Sequence, residues 1–244
     1  MSLRSRLIAI ATLACITVSS GAALAAKPVG TAIPIVGQTA QKLQFGQLPL
    51  SGTVACQLGE LGVPAIAFNY LLPPNDAYYT LLNPADCSGC ASPSIQITLG
   101  HMYLYYQQTG ACATSISVSV VGAKGDVACF SPDPTVVLCP KITYTVTVGS
   151  SGLYDIQLPL GASCCIDKPA FLEYTFNASS CQPLPAIVTT NGCTNCTSYN
   201  IFPTGNDDLC PILGGNLIMF ADAACCATTP TLKGSWGQVK GLYR

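Results

Sequence analysis

Between residues 115 and 148 the chain reads Ser115-Ile116-Ser117-Val118-Ser119-Val120 and then Ile142-Thr143-Tyr144-Thr145-Val146-Thr147-Val148. Apolar and hydroxyl side chains alternate with a period of two, as in a strand that buries one face and wets the other. Residues 153–160 repeat the pattern, with Tyr154, Ile156, Leu158 and Leu160 set against Leu153, Asp155, Gln157 and Pro159. One-faced alternation of this kind suits antiparallel sheets. Working outward, strands are predicted at 53–57, 65–71, 95–107, 171–176, 186–190 and 217–221. Turn signals separate them: Pro73-Pro74-Asn75-Asp76, Thr109-Gly110, 123–126, 149–152, 203–208 and Gly214-Gly215. No stretch is long, amphipathic and free of Gly and Pro, as an ordinary helix would be. The predicted fold is therefore all-β, an antiparallel, jelly-roll-like β-sandwich stapled by disulfides.

Composition narrows the function classes. Charged residues make up 9% of the 244, far below the quarter found in ordinary soluble domains. That scarcity excludes a Lys/Arg stripe reading nucleic-acid phosphates, and a formal net charge of -1 gives no steering field.

The first residues read as an export signal. Arg4 and Arg6 precede an apolar run from Leu7 to Val18, and Ala23-Leu24-Ala25 offers a small-residue cleavage site. The run is shorter than the about 20 apolar residues a membrane span needs. The expected organisation is a signal peptide at 1–26, an N-terminal arm or edge strand at 27–50, a disulfide-rich sandwich at 51–228 and a C-terminal extension at 229–244. The expected setting is secreted, extracellular or periplasmic, with no membrane span after cleavage.

Cys15 leaves with the leader. The cysteines that remain are Cys56, Cys87, Cys90, Cys112, Cys129, Cys139, Cys164, Cys165, Cys181, Cys193, Cys196, Cys210, Cys225 and Cys226. An even set in an exported chain predicts a disulfide framework of up to seven bonds, whose connectivity spacing alone does not give. Neighbouring side chains in extended chain point to opposite faces, so the vicinal pairs Cys164-Cys165 and Cys225-Cys226 are each expected to reach two different partners. The motifs Cys87-Ser88-Gly89-Cys90 and Cys193-Thr194-Asn195-Cys196 are read as structural disulfides. A four-thiolate zinc site and a redox pair are the alternatives.

Two echoes recur: 153–160 leads to Cys164-Cys165, and 216–220 leads to Cys225-Cys226, each preceded by a Cys-Pro pair at 139–140 and 210–211. They suggest two equivalent strands of one sandwich or a faint duplication, and one sandwich is favoured because the half after Asp167 is too short to bury a core of its own. Across the same region run Tyr144-Thr145-Val146, Tyr154-Asp155-Ile156-Gln157-Leu158-Pro159, Pro169-Ala170-Phe171-Leu172-Glu173-Tyr174, Ile187-Val188-Thr189-Thr190, Cys196-Thr197-Ser198-Tyr199-Asn200, Asp208-Leu209-Cys210 and Gly215-Asn216-Leu217. In that order, over residues 144–226, the chain resembles uncharacterised secreted bacterial β-sandwich modules of jelly-roll style. The resemblance implies the fold and an extracellular setting and assigns no catalytic residue. The cysteine density of this chain departs from that class.

Few residues offer chemistry. His101 is the one histidine, no G-x-S-x-G elbow accompanies it, and alternation puts it on the face of Tyr103 and Tyr105. Glu173 is the acid inside an apolar strand, expected to point outward. No cofactor is expected: Asn206, Asp207 and Asp208, with Asp222, offer hard oxygen ligands for calcium, but Asp and Asn are also turn-forming residues and no D-x-[DN]-x-[DN]-G loop occurs. Tyr103, Tyr105, Tyr106, Tyr78 and Tyr79 are the candidate ligand-binding residues, since aromatic rings can stack on sugars. The expected function is a non-catalytic extracellular binding or adhesion module, with a glycan or cell-surface polymer as partner and no nucleic acid. The alternative is a self-assembling surface or matrix subunit that adds a strand through its N-terminal arm. A hydrolase using Glu173 or His101 comes third.

Overall fold

In the computed structural model, which describes residues 30–34, 54–68, 75–90, 94–161, 164–201 and 207–226, the alternating segments become strands of two packed antiparallel sheets. The first seven strands are β1 (Thr31–Pro34), β2 (Cys56–Gly59), β3 (Pro64–Phe68), β4 (Asp76–Leu82), β5 (Ile95–Tyr106), β6 (Cys112–Asp126) and β7 (Cys129–Val148). They continue as β8 (Gly152–Pro159), β9 (Cys165–Ile166), β10 (Ala170–Ser179), β11 (Ala186–Thr190), β12 (Ser198–Asn200), β13 (Asp207–Asp208) and β14 (Met219–Cys225). Among the described residues the longest helix is one four-residue turn, Cys210–Leu213, closed by Gly214 at φ 68°. The expected signal peptide and C-terminal extension, and most of the arm, lie outside the described residues.

One sheet runs β13-β12-β4-β10-β6-β7. The other runs β1-β8-β5-β11-β3, with β14 carrying β2 along one side of β5 and β9 beside its start. Alternation decides which side chains meet between them. Tyr78 and Leu82, Leu172, Tyr174 and Phe176, and Ile116, Val118 and Val120 face inward from the first sheet. They pack on Ile97, Met102, Leu104, Ile156, Leu158 and Met219 from the second. Tyr174 spans the gap and its hydroxyl donates to the Ile156 carbonyl at 3.2 Å. Gly100 makes room for it, because a Cβ there would stand 2.9 Å from the Tyr174 hydroxyl.

All fourteen expected cysteines pair: Cys56–Cys87, Cys90–Cys225, Cys112–Cys181, Cys129–Cys196, Cys139–Cys164, Cys165–Cys226 and Cys193–Cys210. Each vicinal pair reaches two different partners, and neither C-x-x-C motif closes on itself. The two echoing segments become β8 and β14, which flank β5 on opposite sides. Cys165–Cys226 then ties β9 to the residue after β14 across the start of β5, where Gln96 pairs with both Cys165 and Ala224.

Several segments differ from the sequence reading. Residues 76–82, expected to start in a turn, form the central strand β4. Residues 123–126, expected as a turn, belong to β6, and the reversal falls at Val127-Ala128, where Asp126 Oδ1 accepts from the Ala128 amide at 2.9 Å. The N-terminal arm contributes β1, an edge strand on β8.

Candidate functional site

The β6–β7 hairpin is asymmetric. β6 has 15 residues and β7 has 20. The register slips between Val118 and Val120, between Val120 and Val121, and again between Val121 and Gly122, where β7 moves from Val137 to Asp133. Pro140 falls in the first of these slips and Pro134 in the third, and neither brings an amide hydrogen to the ladder. Extra residues on β7 bulge outward, and Val136, Val137 and Leu138 stand exposed at consecutive positions, Val137 at 58%. Val127 at the hairpin tip is 92% exposed.

Beyond the bulge the hairpin lies against the outer face of its own sheet. Cys129–Cys196 staples it to the turn before β12, and Tyr199 of β12 donates its hydroxyl to the Phe130 carbonyl at 2.8 Å. Ala77, Tyr79, Val121, Phe171 and Tyr199 form a second small core there, with Phe130 and Ala123 against it. Between the hairpin and the β9–β10 turn opens a cleft of about 430 Å3, lined by Phe130, Val136, Leu138, Ile166 and Pro169, with Asp167 and Lys168 at its rim. Gly122 forms part of the wall, and a Cβ there would press on the Val136 side chain at 2.9 Å.

The tyrosines expected to line a sugar platform do not form one. Tyr78 is in the main core, edge-on to Phe176 at 5.7 Å. Tyr79, its neighbour, faces the opposite way into the second core. Tyr106 is in the main core against Tyr154. Tyr103 and Tyr105 share an outer face with His101, but Tyr103 is buried beside Phe220, and Tyr105 is the half-buried member of the five. Burial costs their rings the open face that stacking requires. It also pushes the hydroxyls of Tyr79 and Tyr103 above the ordinary tyrosine range and that of Tyr106 up to about 12.

The calcium set is also dispersed. Asp208 spends its carboxylate on backbone amides, Oδ2 accepting from Cys196 at 2.8 Å and Oδ1 from Cys210 at 3.0 Å. Asp207 pairs with Asn200 at the edge of the same sheet, while Asp222 belongs to β14 in the other sheet. Asn206 lies outside the described residues. Among the described residues no group of three or more His, Cys, Asp or Glu side chains is placed to hold a metal ion.

His101 has partners that sequence reading did not assign. Its Nδ1 donates to Asp155 Oδ2 at 2.9 Å, and its Nε2 lies 3.4 Å from Asp222 Oδ2, at the limit of contact and without hydrogen-bond alignment. The ring stacks on Phe220 at 4.3 Å. Gln157 and Gln57 donate to the two carboxylates. Burial disfavours the imidazolium, but the hydrogen bond to Asp155 and the nearby carboxylates of Asp155 and Asp222 outweigh it and raise the His101 pKa to about 9. Asp222 is desolvated too, yet the contacts with His101 and Gln57 hold its pKa below the ordinary value. In Ser-His-Asp chemistry the second imidazole nitrogen faces a nucleophile; here it faces a carboxylate.

Glu173 points outward, as alternation predicts, and is nonetheless buried among its neighbours. Oε1 accepts from Lys141 Nζ at 2.7 Å and from the Thr175 hydroxyl at 2.9 Å, and Oε2 accepts from Ser119. Ser119 is the cross-strand neighbour of Glu173 on β6, Thr175 lies two residues further along β10 on the same face, and Lys141 reaches over from β7.

Compared with known proteins, the chain matches no family model, no curated protein and no solved structure. Seven disulfides fit an oxidising compartment. Among the described residues no helix is long and apolar enough to cross a membrane.

Proposed function

We propose that the protein is a secreted, non-catalytic binding module that grips an apolar group of its target in the cleft beneath the β6–β7 hairpin. The observation that carries this reading is the exposed run Val136-Val137-Leu138 beside that cleft. Contiguous exposed apolar surface on an otherwise well-buried protein marks an interaction site, and the Cys129–Cys196 staple holds it in shape before any ligand arrives. The non-catalytic part is supported by what surrounds both titratable clusters: His101 lies between two aspartates, and Glu173 is held by Lys141 and two hydroxyls.

Amide chemical-shift mapping of the mature protein against fatty-acid, apolar-peptide and oligosaccharide probes tests the reading. Shifts at Gly122, Ala123, Phe130, Leu138 and Lys168 with the apolar probes, lost in Val136→Asp, are expected. Shifts confined to oligosaccharides, or turnover of any probe, would refute it.

A second reading, self-assembly by strand addition, is favoured by one observation. β1 holds β8 through only four residues, Thr31 opposite Gln157 to Pro34 opposite Tyr154. A second copy's arm would pair with the same edge of β8. Concentration-dependent assembly lost on deleting residues 27–42 would favour this reading over the first.

A further inference from the structure

The Cys87-Ser88-Gly89-Cys90 motif joins two different disulfides, and its sulfurs nearly touch. Cys87 Sγ, bonded to Cys56, and Cys90 Sγ, bonded to Cys225, are 4.0 Å apart. Ser88 and Gly89 form a turn between them. A four-residue turn brings its end Cα atoms within about 7 Å, inside the reach of a disulfide. The turn also packs on the residue preceding Cys56, since a Cβ on Gly89 would stand 2.9 Å from the Ala55 carbonyl oxygen. Access differs along this chain of sulfurs: Cys225 is exposed, Cys90 and Cys56 are half-buried, and Cys87 is buried.

We infer that Cys90–Cys225 is a thiol-exchange site, and that Cys87 is the internal acceptor which passes the exchange on to Cys56. An external small thiol or dithiol attacks the exposed Cys225 sulfur, forms a mixed disulfide with it and releases Cys90 as thiolate. The Cys90 thiolate then attacks Cys87 Sγ, forming Cys87–Cys90 and releasing Cys56 as thiolate. A second thiol of the reductant resolves the mixed disulfide at Cys225. The reductant leaves as its own disulfide, two electrons enter the protein, and Cys56 and Cys225 take up two protons as thiols. Exchange rates follow access and the separation of attacking and attacked sulfurs, and the 4.0 Å approach makes the second step intramolecular. Reduction at the surface thereby moves a disulfide from between strands into a local four-residue loop, and frees the link between β2 and the motif. Cys90–Cys225 closes 135 residues of chain and Cys56–Cys87 closes 31, so both long-range ties in this region are given up at the cost of one bond.

Limited reduction of the full protein with dithiothreitol at pH 8, followed by acid quench, maleimide labelling and peptide mapping, tests this. The first two-electron intermediate is expected to carry label on Cys56 and Cys225 and to contain a Cys87–Cys90 bond. Label on Cys90 and Cys225 with Cys56–Cys87 intact would overturn the relay, and first reduction at Cys165–Cys226 would overturn the assignment of the entry point. In the double variant Cys90→Ala, Cys225→Ala the labelling of Cys56 should be lost at the same reductant concentration. Unchanged labelling of Cys56 in that folded variant would equally refute the relay.

Discussion

His101 Nδ1 and Asp155 Oδ2 stand 2.9 Å apart on the outer face of the eight-stranded sheet, on adjacent strands β5 and β8. With Asp222 on the opposite side of the ring, the pair holds the imidazole charged to about pH 9, against an ordinary value of 6.5. A folded-state pKa raised above the unfolded one stabilises the fold most below pH 6.5. The contribution disappears as pH rises through 9. A shift of this size corresponds to on the order of 3 kcal/mol. The melting temperature should therefore fall between pH 6.5 and 9, and His101→Gln should flatten that slope. Thermal melts at five or six pH values on both proteins check it, and parallel slopes would refute the pairing.

Lys141 reaches Glu173 from a half-exposed position, whereas the carboxylate is buried. Lys141→Met leaves that carboxylate with hydroxyl partners alone, and should cost about 1–3 kcal/mol in urea unfolding. Adding Glu173→Gln should recover most of the loss, because the neutral amide needs no counter-charge. A double variant no more stable than Lys141→Met alone would contradict this account.

Gly100 permits the close approach of Tyr174 between the sheets. Gly100→Ala forces the Tyr174 hydroxyl away from the Ile156 carbonyl and should lower stability by about 1–3 kcal/mol. Combining it with Tyr174→Phe should cost less than the sum of the two single changes, since the phenol oxygen that meets the new methyl is then gone. Strict additivity in denaturant melts would locate the defect elsewhere.

Disulfides that close different lengths of chain should differ in worth. Cys90–Cys225 closes a separation of 135 residues and Cys193–Cys210 one of 17. On the loop-entropy account, replacing the first pair by alanines should cost about 2 kcal/mol more than replacing the second. Thermal unfolding of the two double variants in non-reducing buffer measures the difference, and equal losses would point to enthalpy rather than chain entropy.

The sequence by itself determined the fold class, because period-two alternation is a local property that each strand carries alone. The strands around Val118, Tyr144, Ile156 and Phe171 were legible for that reason, and so was the even cysteine set. It also determined that Cys164-Cys165 and Cys225-Cys226 reach separate partners, since adjacent residues of extended chain face opposite ways. Strand β4 was not legible, because Asp76-Ala77-Tyr78-Tyr79 is buried on both faces and shows no alternation. Tertiary structure alone decided which long-range neighbours met. Asp155 lies 54 residues from His101, Lys141 lies 32 from Glu173, and Cys129 lies 67 from Cys196. Pairing between strands at such separations is set by register and sheet order, which no local pattern encodes. The tyrosines make the same point: five rings looked equivalent in sequence, and the order of the strands buried four of them and left Tyr105 half exposed. The exposed run Val136-Val137-Leu138 arose in the same way, from prolines that spoil the ladder with β6 and leave these residues with no second sheet to cover them.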